Sequence, residues 1–102
     1  LIKHNINVAM IIPKLEKVRT KLDKLDTKLL FIIKKRTALV DQVIKLKKNK
    51  SEIIDKKRIS FILKKIKKKS IRLKIDPAIT LGIWKQMIKS FVRYEYKNFR
   101  KK

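Results

Sequence analysis

From about Pro13 to Lys48 the apolar positions Leu15, Val18, Leu22, Leu25, Leu29, Ile32, Leu39, Val43 and Leu46 recur in alternating steps of three and four. One place in that series is taken by Arg36. The spacing predicts one long helix with an apolar seam along it. The polar stretch Lys48 to Glu52 breaks the pattern, and Asp55 is placed to cap a second helix. That helix carries Ile59, Ile62, Leu63 and Ile66 on one side and ends near Ile71 to Lys74. Asp76 and Pro77 open a third, because a carboxylate at the cap and a proline at the first helical position both suit the unsatisfied amides there. Its apolar face is Ile79, Ile83, Trp84, Met87, Ile88 and Phe91.

The predicted fold class is therefore all-α, with three helices, one long and two shorter. One Gly and two Pro leave few tight turns, so no strand is expected. Residues 1–9 are read as an N-terminal tail, 10–99 as one domain and 100–102 as a basic C-terminal tail, with the chain loosely held from Lys97 on.

Length and composition narrow the function classes. A chain of 102 residues buries only about 60–70% of its unfolded surface, so a partner chain is a useful source of core. There is no cysteine, which excludes disulfides, thiolate metal sites and thiol nucleophiles. The apolar run Leu29 to Ile33 is far short of the roughly 20 residues that span a bilayer, no signal-peptide pattern opens the chain, and a cytoplasmic location is expected. The formal charge of +23 points at first toward nucleic acid or an anionic membrane. Against that, lysine and isoleucine are over-used together, as codon bias in an AT-rich genome produces. The runs Lys64–Lys65 and Lys67–Lys69 alternate with Ile62, Leu63 and Ile66 as a solvated face does. Neither nucleic acid nor membrane is expected as a partner.

Chemistry enters where charges occupy apolar positions. Arg36 stands in the seam between Ile32 and Leu39, and Lys47 lies three turns further on, about 16 Å by helix rise. Glu95 follows Phe91 by four and Ile88 by seven, which places a carboxyl on the apolar side of the third helix. Burying these three groups in one small core is costly unless they meet each other, through a salt bridge of Glu95 with Arg36 or Lys47, or meet a ligand. Lysine outnumbers arginine about four to one, which draws notice to Arg19, Arg36, Arg58, Arg72, Arg93 and Arg100. The planar guanidinium grips carboxylates with two parallel hydrogen bonds. Arg19 and Arg36 lie about 25 Å apart on one helix, so they share a small ligand only if Arg19 arrives from an antiparallel second chain.

Val18–Arg19, Leu25–Asp26, Leu29–Leu30, Arg36, Leu39–Val40 and Lys47, then Asp55 and Arg58, then Asp76–Pro77 and Trp84 through Glu95, resemble the all-helical chorismate mutase family over about Leu15 to Phe99. The resemblance implies that 10–99 is a chorismate mutase domain. It implies an intertwined six-helix homodimer in which each pocket borrows an arginine from the partner. It implies rearrangement of chorismate to prephenate, in phenylalanine and tyrosine biosynthesis, with no metal, cofactor or covalent intermediate. Arg19 would be the borrowed arginine and Arg36 its counterpart from the home chain, each on a substrate carboxylate. Lys47 would donate to the ether oxygen and a carboxylate, Arg58 would support the carboxylate and hydroxyl end, and the main chain near Asp55 would meet the ring hydroxyl. Glu95 matches a position that is often glutamine, facing the ether oxygen opposite Lys47. A concerted rearrangement needs no nucleophile, which suits a chain whose one histidine, His4, lies in the tail.

Three positions depart from the family pattern. Glu95 donates a hydrogen bond only when protonated, so activity should fall as pH rises. Ile59 stands where a glutamate often meets the substrate hydroxyl, and Phe91 where a small hydroxyl residue is common. Both make the pocket more apolar and raise a second reading, the related isochorismate pyruvate lyases, whereas Asp55 favours the mutase. A third reading, a basic helical protein binding nucleic acid by charge, explains neither Arg36 in the seam nor Glu95 on the apolar face.

Overall fold

The computed structural model describes residues 2–100, with side chains described from Ala9 onward. Three α-helices follow one another: α1 (Ile2–Leu46), α2 (Lys56–Arg72) and α3 (Pro77–Asn98), with a single 3-10 turn at Lys50–Glu52. Among the described residues there is no strand. The chain divides into two units between Ala38 and Leu39.

The first unit is helix α1 as far as Ala38. Its backbone is helical on the N-terminal side of Pro13, back to Ile2. A proline fixes φ near the helical value and removes one donor, so residues before it continue the helix with one hydrogen bond fewer. Leu15, Val18, Leu22, Leu25, Leu29 and Ile32 all stand exposed, Leu22 and Leu25 at 52% and 54%. The seam is present, with nothing of this unit to cover it.

The second unit holds the core. Ile44, Ile53 and Phe99 are buried together, with Val40, Val92 and Tyr94 packed against them. Phe99 anchors the chain beyond α3, so the stretch from Lys97 that was expected to be loose is held through Phe99; Lys101 and Lys102 lie outside the described residues. Asp55 caps α2, accepting from the Arg58 amide at 3.0 Å, and Asp76 caps α3, accepting from the Ala78 amide at 2.9 Å.

Ile59, Ile62, Leu63 and Ile66 form the half-buried side of α2, and buried Ser70 shares a 2.6 Å hydroxyl contact with Thr80 of α3. Between the two helices the Ile75 amide donates to the Ser70 carbonyl and the Lys74 amide to that of Ile71, the paired bonds that close a helix C-terminus. Lys74 supplies the left-handed residue of that turn, at φ 58°, where glycine is usual.

Candidate active site

Helix α1 ends at Leu46, and the Lys47 amide still donates to the Val43 carbonyl at 3.1 Å, so Lys47 leaves from the last turn in a fixed direction. Its ammonium donates to Glu95 Oε1 at 3.0 Å and to the Ile53 carbonyl at 3.4 Å. The two charged side chains are only 19% and 11% exposed. A charge pair so far out of water is held by geometry rather than by solvent. The internal pairing anticipated for Glu95 is thus made with Lys47.

The turn beside Lys47 is held by Glu52. Its Oε2 accepts from the Lys48 and Asn49 amides, both at 2.7 Å. Those two donors, Asn49's first, hold the Glu52 carboxyl below the usual carboxylate range. The asparagine-x-x-glutamate spacing of Asn49 and Glu52 is a capping signal legible in the sequence, within the stretch that breaks the apolar pattern. An open cleft beside the turn is lined by Lys47, Glu52, Ile54, Asp55, Lys56 and Lys57.

On the α3 side, Tyr94 Oη donates to Asp41 Oδ1 at 2.6 Å across a sequence separation of 53 residues. That bond, aided by desolvation, pushes the Tyr94 hydroxyl above its ordinary value. Phe91, half-buried, meets the Tyr94 ring edge-on with centroids 6.2 Å apart. Nothing in the pattern of apolar positions marks Tyr94 or Asp41, because a bond between remote residues leaves no periodic trace.

The remaining expected residues are placed as follows. Ile59 is half-buried on α2. Arg58 lies in the first turn of α2 with its guanidinium carbon 5.5 Å from the centroid of exposed Phe61, a contact that the pattern of apolar positions does not mark. In the first unit, exposed Arg19 donates to Glu16 Oε1 at 2.8 Å, one helical turn away. Arg36 is half-buried, with its Nη1 out of solvent. The structure therefore brings Lys47 and Glu95 together and sets Asp55 and Arg58 in one capped turn. Arg19 and Arg36 occupy separate stretches of α1.

Among the described residues no cluster of three or more histidine, aspartate or glutamate side chains could hold a metal ion, and no helix is long and apolar enough to cross a membrane. No curated protein and no solved structure gives a match to the chain. Residues 18–96, about three quarters of the sequence, match the family described as Chorismate mutase type II. An all-helical chain that matches the family over this span, with a lysine and a carboxyl paired out of solvent, belongs to the chorismate mutase type II family.

Proposed function

We propose that the protein is a chorismate mutase that rearranges chorismate to prephenate in phenylalanine and tyrosine biosynthesis, acting as a homodimer. The observation that carries this reading is the Lys47–Glu95 pair, 3.0 Å apart and largely out of water, in a chain of this family. In the rearrangement one carbon–oxygen bond breaks while a carbon–carbon bond forms, and negative charge grows on the ether oxygen. Catalysis then consists of holding the substrate compact and aiming donors at that oxygen. The ether oxygen takes the place of the direct Lys47–Glu95 bond, and Lys47 donates to it from one side. Glu95, in its acid form, donates from the other.

Arg36 and the partner chain's copy of Arg19 each take a substrate carboxylate by their two-pronged geometry. Arg58 supports the carboxylate and hydroxyl end, and the backbone at Asp55 meets the ring hydroxyl. Ile59 and Phe91 supply apolar wall. The exposed seam of α1 supports the dimer: its six side chains Leu15, Val18, Leu22, Leu25, Leu29 and Ile32 stand in water. Burying a side chain of that size contributes about 1.5–3 kcal/mol. A second copy of α1 offers the matching surface.

A second reading, isochorismate pyruvate lyase, is favoured by one observation, the apolar Ile59 half-buried on α2. The test is direct. Purified protein is mixed with chorismate, the loss of its ultraviolet absorbance is followed, and the product is identified, with Arg36→Ala in parallel. Prephenate formation that falls at least about a hundredfold in the variant is the expected result. Consumption of isochorismate but not chorismate would replace the mutase with the lyase.

A further inference from the structure

A lysine has four rotatable methylenes, so a 3.0 Å bond from Lys47 to Glu95 needs something other than its own chain to hold it. On the lysine side that support is visible in the Ile53 carbonyl and the Glu52-capped turn. On the glutamate side the deciding variable is the rotation of α3 about its own axis. Side-chain ends lie about 5–6 Å from a helix axis, so a turn of some 20° moves one by roughly 2 Å. That displacement is enough to break the pair.

Tyr94 is the residue next to Glu95, and its hydroxyl reaches Asp41, which stands six positions before Lys47. The bond is short, partly buried and bridges α3 to the last turns of α1. Its two ends are thus fixed to the same two helices as the two ends of the Lys47–Glu95 pair. A third contact steadies the same point: the Asn98 side-chain amide donates to the Tyr94 carbonyl at 2.8 Å.

We propose that Tyr94 and Asp41 are positioning residues for the reaction, a second bolt between α1 and α3 that sets the angle at which Glu95 faces Lys47. This rests on the mutase reading, in which that pair meets the ether oxygen. Neither residue touches substrate. Their effect is on the alignment of the donors, so it is felt in the chemical step more than in substrate binding.

Three variants of the full chain test this, with kcat, KM and melting temperature measured for each. Tyr94→Phe removes only the hydroxyl, and kcat should fall about 10- to 100-fold while KM stays within about twofold. Asp41→Asn keeps an oxygen that accepts the Tyr94 proton, and should retain most of the activity that Asp41→Ala loses. If Tyr94→Phe fails to fold, the Asp41 comparison stands in for it. Ser70→Ala, which removes a hydroxyl contact elsewhere in the same unit, is the control for lost stability and should leave kcat unchanged. A lower melting temperature with unchanged kcat in Tyr94→Phe would overturn the proposal. If the unaltered protein leaves chorismate untouched, the mutase reading is what has failed, and the positioning claim is decided by the crystal structure of Tyr94→Phe. There a Lys47–Glu95 separation beyond 4 Å supports it, and one still at 3.0 Å refutes it.

Discussion

Glu95 shows how one side chain sets the conditions under which a site works. As a carboxylate it accepts from Lys47. As a carboxylic acid it donates, and only in that form does it help an oxygen gaining negative charge. Glutamine at the same position always has an amide N–H to donate. Glu95→Gln should therefore give a kcat/KM at or above the parent's, measured as chorismate turnover. A large loss in the variant would show that a hydrogen-bond donor at this position is not what the reaction needs. Lys47 loses its ionic partner in this variant but keeps an amide oxygen, so folding should survive the change.

Among the elements, the short turn between α1 and α2 is the most exposed to test, because two backbone amides depend on one carboxylate. The Glu52 carboxyl is held below its unfolded value, so the stability it contributes is present above the ordinary carboxylate range and is lost as pH falls through the lower folded value. Glu52→Gln should lower the melting temperature by a few degrees near neutrality, and the difference from the parent should shrink in acid, a result calorimetry at several pH values would check. A constant difference would mean that the charge on Glu52 is irrelevant to the turn. The element boundaries show what a sequence makes legible. Asp55 and Asp76–Pro77 announce their helices because capping chemistry is local, and α2 and α3 begin where those residues say. The paired charges Lys47 and Glu95 stand out because an ion at an apolar register position demands a partner. Tyr94–Asp41 and buried Phe99 are silent in the sequence, because each depends on which remote surfaces meet.

For the molecule as a whole, the unsolved problem of the single chain is α1 before Leu39. Its seam from Leu15 to Ile32 is in water, and an isolated helix of such composition gains most of its stability from packing. Each chain also carries a net +23, so two copies approach only if apolar burial outweighs their repulsion; in the proposed antiparallel homodimer, Arg19 of one would lie toward Arg36 of the other. The shared pocket so proposed has a consequence that no monomeric site can imitate. Arg19→Ala and Arg36→Ala should each be nearly inactive alone, since every pocket of either homodimer lacks one arginine. When equal amounts are unfolded together and refolded, half of the dimers pair one variant with the other. One pocket of each such dimer lacks both arginines, while its second pocket has Arg36 from one chain and Arg19 from the other, both intact. Activity should recover to about a quarter of the parent's. A mixture as inactive as its components would mean that the two arginines do not meet across an interface, and that the covering of the α1 seam has to be sought in something other than a second copy of this chain.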